Sequence, residues 1–231
     1  MSFWQILKQD FIEPMRQDPA CNSVFEIFFC YPGVWALINY RFAHFFYERG
    51  FKLVARAISG LSRIITAVDI NPGARIGRGV FFDHATGLVI GETAIIGDNC
   101  LIYQGVTLGG VSLEHGKRHP TLQNGVVVGA GAKVLGNITI GENSKIGANS
   151  VVVKDVAPNC TAVGVPARIL GGCESDPLAH NKIPDISQEL IKYLIKRIEI
   201  LEDCICSGRK DISAMDEDLN KFYEEYLKSL K

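Results

Sequence analysis

Two short segments carry residue types suited to catalysis: Phe82-Asp83-His84-Ala85-Thr86-Gly87 and Arg118-His119-Pro120. A histidine held by a carboxylate can act as a general base, because neutral imidazole accepts a proton and the carboxylate stabilises the imidazolium. Asp69 lies 15 residues before His84. Arg118 offers a planar, bidentate fork for a substrate carboxylate, with His119 beside it. Asp18 and Asp83 could take a substrate ammonium. Each residue also has a plainer reading: His84 as a surface histidine, Arg118 as a solubility charge, Asp18 as a helix N-cap. Cys100 occupies a small-residue position and reads as core. A zinc site could draw on His84, His115 and His119, the last two being four apart.

The elements that must position these groups are set by an internal repeat. Apolar residues recur every six positions through Ile70, Ile76, Phe82 and Leu88, then Ile90, Ile96, Ile102 and Leu108, then Val128, Val134, Ile140, Ile146 and Val152. A period of six fits neither a helix nor an alternating hairpin sheet. It fits a β-solenoid whose coils have three flat sides, with the periodic residue inside. The glycine that follows directly, at positions such as Gly77, Gly91, Gly97, Gly129 and Gly141, suits a corner needing positive φ. With three six-residue sides per coil, a separation of 15 to 18 brings Asp69 near His84 on successive coils. The repeat breaks between Gly109 and Val128, and the loop 110–127 carries Arg118 and His119 outside the rod.

Composition divides the chain of 231 residues into three zones. Residues 1–68 hold 14 of the 21 aromatics and read as helices. The pattern predicts a first helix broken or bent at Pro14, a second from Asp18-Pro19, a third over 34–49 and a fourth over 52–67. Residues 69–170 are the glycine-rich rod. Residues 171–231 are charged and read as helices with coiled-coil-like spacing at Ile186, Leu190, Leu194, Ile198 and Leu201. They are either a solvated pair packed on the rod or an oligomerisation element. The net charge of -1 gives no pull toward nucleic acid or anionic membrane. The N-terminus lacks the features of a signal peptide, and the longest uncharged stretch is too short to span a bilayer. Seven cysteines without a C-x2-C pair suggest reduced thiols in a cytoplasmic protein.

The Asp69–Gly77 segment, Asp83-His84-Ala85-Thr86-Gly87, Gly91-Glu92-Thr93, Gln104–Gly110, Arg118-His119-Pro120, Gly129–Gly136 and Gly164-Val165-Pro166-Ala167-Arg168 together resemble the serine O-acetyltransferases. Asp18-Pro19-Ala20 is similar to that family as well. The resemblance spans roughly residues 15–170 and implies an α+β fold, a left-handed parallel β-helix behind an N-terminal helical domain. It implies acetyl transfer from acetyl-CoA, as co-substrate, to the hydroxyl of L-serine, the first step of cysteine biosynthesis, with no resident cofactor or metal. By this resemblance His84 is the general base, Asp69 its partner, and Asp18, Asp83, Arg118 and His119 hold the substrate. Backbone around Gly109, Gly110, Ala130 and Ala148 matches the pantetheine-binding strip. The resemblance further implies a homotrimer with sites between neighbouring rods, or a dimer of trimers, and inhibition by cysteine. The helical zone is shorter than in the long members, which favours the trimer. The ending Lys228-Ser229-Leu230-Lys231 lacks the terminal isoleucine through which many members dock into cysteine synthase.

Three rivals share parts of this pattern. An acetyltransferase of the same fold could act on a sugar, an antibiotic or homoserine, although a sugar offers Arg118 no carboxylate. A zinc lyase would leave Asp69 and the other motifs without a role. A non-catalytic scaffold would not explain His84.

Overall fold

The computed structural model describes residues 2–170, residue 191 and residues 193–198. Four helices come first: α1 (Phe3–Gln17), α2 (Val24–Cys30), α3 (Pro32–Glu48) and α4 (Lys52–Thr66). Ser2 begins α1 with a capping box closed by Gln5. The expected break at Pro14 does not occur; α1 runs through it to Gln17. Asp18 is therefore the C-cap of α1 and not the start of a helix. The second helix begins later, with Ser23 as N-cap accepting from the Glu26 N–H. Pro32 occupies the first turn of α3, where its missing N–H costs nothing.

Five coils of parallel β-helix follow. The first holds β1 (Asp69–Ile70), β2 (Arg75–Ile76) and β3 (Phe81–Asp83). The second holds β4 (Val89–Ile90), β5 (Ile95–Ile96) and β6 (Leu101–Tyr103). The third holds β7 (Thr107–Gly109), β8 (Thr121–Leu122) and β9 (Val127–Val128). The fourth holds β10 (Lys133–Leu135), β11 (Thr139–Ile140) and β12 (Lys145–Ile146). The last holds β13 (Val151–Val152), β14 (Thr161–Gly164) and β15 (Ala167–Leu170). They stack into three sheets: β1-β4-β7-β10-β13 is sheet one, β2-β5-β8-β11 sheet two, and β3-β6-β9-β12-β14-β15 sheet three. All pairs are parallel except β14 with β15. Each periodic apolar residue named above is buried, and they stack in a single core.

Two expectations need correction. The loop is shorter than 110–127: the rod resumes at Thr121-Leu122, which pair with Ile95-Ile96. Leu122 is buried and keeps the six-residue register ahead of Val128. The corner glycines also have a different reason. Gly77, Gly91, Gly97, Gly129 and Gly141 are not among the residues with positive φ. They are required by close approach between coils: a Cβ on Gly129 would stand 2.7 Å from the backbone N of Ala148. The left-handed corner positions fall to other residues, among them Gly105, Asn143 and Asn149.

The helices are fastened to the first coil by polar contacts. Arg41 donates from Nε to Asp10 Oδ2 at 2.8 Å and from its two terminal nitrogens to the carbonyls of Ile76 and Gly77, each at 2.5 Å. Tyr40 donates to the Ala74 carbonyl at 2.7 Å, and Ser59 to that of Ile70 at 3.0 Å. The Asp10 carboxylate is fully enclosed, and burial raises its pKa despite the opposing hydrogen bond and charge of Arg41. Arg41→Ala should therefore destabilise the chain by about 3 kcal/mol, since it strands a buried charge. A fall in the urea midpoint at unchanged slope is the measurement; an unchanged midpoint would refute it.

Cys21, Cys30 and Cys100 are free, whereas Cys160 is disulfide-bonded, against the expectation of reduced thiols. No described helix is long and apolar enough to cross a membrane. Residues 1–178 and 179–231 form two units. In the second, residue 191 and residues 193–198 are helical, as expected, and expose Ile191, Leu194, Ile195 and Ile198. The other expectations for 171–231, including the coiled-coil positions Ile186, Leu190 and Leu201, lie outside the described residues.

Candidate active site

The predicted residues gather on two edges of the rod. His84 follows β3 and precedes β4, so it stands where sheet three turns into sheet one. His84 and Ala85 are both left-handed, with φ of 56° and 58°. Two consecutive non-glycine residues in this region are strained, a feature that clusters at functional positions. The turn throws the His84 side chain outward, leaving it 77% exposed. Its Nε2 lies 3.9 Å from Asp83 Oδ1.

Asp18 faces the same edge. Its Oδ2 accepts from the Tyr31 hydroxyl at 2.5 Å and its Oδ1 from the Ala20 N–H at 2.8 Å. Burial raises the Asp83 pKa, His84 opposes this, and the neighbouring Asp18 charge adds to it. Burial first, then the Asp18 contact, raises the Tyr31 phenol, so it stays a donor. Among the described residues no lysine or arginine pairs with Asp18 or Asp83. Two adjoining carboxylates without a cation have the charge to take an ammonium group.

Asp69 does not meet His84 as the coil arithmetic predicts. The first coil takes 20 residues to close, so Asp69 registers with Val89. Its carboxylate instead contacts Arg63 Nη1 at 3.3 Å.

The second edge lies where sheet one turns into sheet two. Here the loop 110–120 leaves after β7 and returns to β8. Arg118 donates from Nη2 to Glu92 Oε2 at 2.8 Å. His119 is 8% exposed, and its ring is held by Thr93. Nδ1 accepts from the Thr93 N–H at 3.2 Å and lies 2.9 Å from Thr93 Oγ1. Thr93 Oγ1 in turn accepts from the Arg118 and His119 N–H groups at 3.0 and 3.1 Å. This network places the proton on Nε2. Burial, then the charges of Arg118 and Lys117, lower the His119 pKa. The ring is thus a neutral N–H donor at neutral pH. A cavity of about 410 Å³ opens beside it, lined by Arg118, Lys117, Glu92, Tyr47 and Arg75 among others. Gly91 makes room for the ring, since a Cβ there would fall on His119. Gly91→Ala should displace His119 and raise the KM of the substrate it contacts about tenfold, the scale of a lost charge-assisted hydrogen bond; an unchanged KM in initial-rate kinetics would count against this role.

The residues expected to line a pantetheine strip divide the same way. Gly109 and Gly110 lie on the edge of Arg118. Ala130 and Ala148 follow β9 and β12 and lie on the edge of His84, two and three coils above it. Of the functional partners, sequence reasoning gave no role to Thr93, Glu92, Tyr31 or Lys117. Gly91-Glu92-Thr93 stood among the family-like segments, but the parts that Glu92 and Thr93 play became visible only once the loop showed where the chain returns. His84 lies on a different edge from His115 and His119, and no three histidine, cysteine or acidic side chains converge among the described residues.

A three-sided parallel β-helix with an acid–base corner and a returning loop defines a hexapeptide-repeat transferase. The family description "Bacterial transferase hexapeptide (six repeats)" matches residues 119–154. The serine acetyltransferase of Synechococcus elongatus is 54% identical over 202 residues, which is 87% of this chain and 83% of that protein. The solved Neisseria gonorrhoeae serine acetyltransferase in complex with serine is 44% identical, with a TM-score of 0.70 over 73% of this chain and 69% of that one. A serine acetyltransferase solved in complex with cysteine is 43% identical, with a TM-score of 0.71 over 73% of this chain and 70% of that one. The chain belongs to the serine acetyltransferases.

Proposed function

We propose that this chain transfers an acetyl group from acetyl-CoA to the hydroxyl of L-serine, with His84 as general base, at a site shared by two copies of the chain. The observation that carries this reading is the division of ligand chemistry between two edges. The ammonium receptor of Asp18 and Asp83 and the base His84 stand on one edge. The carboxylate fork of Arg118 and the donor His119 stand on the other. One side of a coil separates them, about six residues or roughly 20 Å. An amino acid cannot span that distance. Setting the edge of His84 from one copy against the edge of Arg118 from another brings all five groups around one serine. The same apposition faces Ala130 and Ala148 with Gly109 and Gly110, forming a groove for the pantetheine arm. A cyclic assembly, of which the trimer is the simplest, repeats this junction at every interface.

At the junction His84 takes the serine hydroxyl proton as the oxygen attacks the thioester carbonyl carbon. Backbone N–H near Gly110 stabilises the oxyanion. The carbon–sulfur bond then breaks, and the imidazolium returns the proton to the CoA thiolate. The products are O-acetyl-L-serine and CoA. Thioesters are already activated, so the step calls for no metal. Asp69 remains the candidate to steady the imidazolium: its contact with Arg63 is exposed, and such pairs contribute only about 0–1 kcal/mol, so it exchanges readily. Cysteine carries the same ammonium and carboxylate as serine and would compete for this site.

The test is CoA release with L-serine against a panel of hydroxylated acceptors. L-serine should be preferred over homoserine, sugars and aminoglycosides. Release that is independent of L-serine, or faster with a sugar, would overturn the reading.

A further inference from the structure

Lys117 has an unusual setting for a loop lysine. Its stem is exposed, but its Nζ donates to three carbonyls: Thr93 O at 2.8 Å, His119 O, and Pro120 O at 3.2 Å. Two of these carbonyls belong to the residues just after Arg118. The third belongs to the second-coil corner that grips the Arg118 and His119 backbones through Thr93 Oγ1. Three converging carbonyl oxygens repel one another unless a cation lies between them. The ammonium therefore ties the returning end of the loop to the rod at the point where the carboxylate fork emerges. Its lowered pKa, caused by burial, fits a head group taken partly out of water.

We propose that Lys117 is a positioning residue for serine binding, its ammonium acting as a built-in cation that holds Arg118 and His119 in place. It touches no substrate. Its effect is on where Arg118 and His119 stand, so it bears on the serine KM and not on the chemical step. This rests on the acetyl-transfer reading above.

Lys117→Ala removes the ammonium and leaves the carbonyl cage open to solvent. The serine KM should rise about tenfold, the scale of losing charge-assisted hydrogen bonds. The kcat and the acetyl-CoA KM should stay within about twofold. Ammonium chloride, matched against sodium chloride at equal ionic strength, should restore much of the serine affinity, because an ammonium ion can occupy the same three oxygens. Lys117→Met keeps the stem and fills the cage with an uncharged end. It should show the same rise in KM and no ammonium rescue. Both variants are compared with wild type by thermal melting, so that loss of fold is recognised. An unchanged serine KM in either variant, or a raised KM in Lys117→Ala that ammonium does not lower, would overturn the proposal. The wild-type chain in the same assay separates the two levels. Absence of serine-dependent CoA release there rejects the acetyl-transfer reading. Its presence beside an unaffected Lys117→Ala rejects the cage alone.

Discussion

Replacing His84 with alanine is expected to lower kcat for acetyl transfer by about two to four orders of magnitude, the contribution of a positioned general base. The serine KM should change little by comparison, because the proposed reading gives the ammonium to Asp18 and Asp83 and the carboxylate to Arg118. The expectation rests on more than residue type. Two successive left-handed residues bury Ala85 in the core and leave the His84 ring outside the rod. Initial rates of CoA release, with both substrates varied, are the measurement. Activity within tenfold of wild type would remove His84 from the role. Asp69→Asn offers a finer reading: a fall in kcat at constant serine KM marks the carboxylate that steadies the imidazolium, whereas Asp83→Asn should raise KM as well.

Mixing two impaired chains should restore activity at a serine concentration well below the KM of the Arg118→Ala variant. Arg118→Ala impairs one edge and His84→Ala the other. In a cyclic assembly built from equal amounts, each junction draws its two edges from different chains. About a quarter of the junctions then combine an intact edge of each kind, if assembly is random. Refolding or co-expressing the two variants together should give about a quarter of wild-type turnover. The same amounts assembled separately and then pooled should give almost none. A mixture no better than the pooled control would mean that each chain carries a complete site.

Much of this was legible in the sequence, for a physical reason. A three-sided coil buries the same positions in every six residues, so the core of the rod is written as a period, and every expected inward position is inward. Its failures are equally physical. Leu122 kept the period, but the polar residues around it hid the return of the rod, and the loop was read too long. Glycine after the apolar residue was read as a conformational need, whereas it answers a neighbouring coil a few ångströms away, which no single coil reveals. Asp18 was read as starting a helix because Pro19 follows it; α1 instead runs through Pro14 and ends there. Asp69 registers with Val89 and contacts Arg63 because the first coil is two residues longer than three sides of six, which the coil arithmetic had not allowed for. Types of catalytic group could be read from the chain, but their division between two edges required the order of the sheets.

The two ends of the rod differ from its sides in what they can add. At the start, α3 and α4 cover the first coil, and their hydrogen bonds to it occupy carbonyls at Ile70, Ala74 and Ile76. At the other end β15 reverses direction against β14, so the last strand of sheet three offers no parallel register to a further coil. Copies stacked end to end would lengthen into a filament without limit. With one end roofed by helices and the last strand of sheet three turned back on itself, continued parallel pairing along the axis is opposed at both ends, which leaves the flanks to the cyclic assembly proposed above.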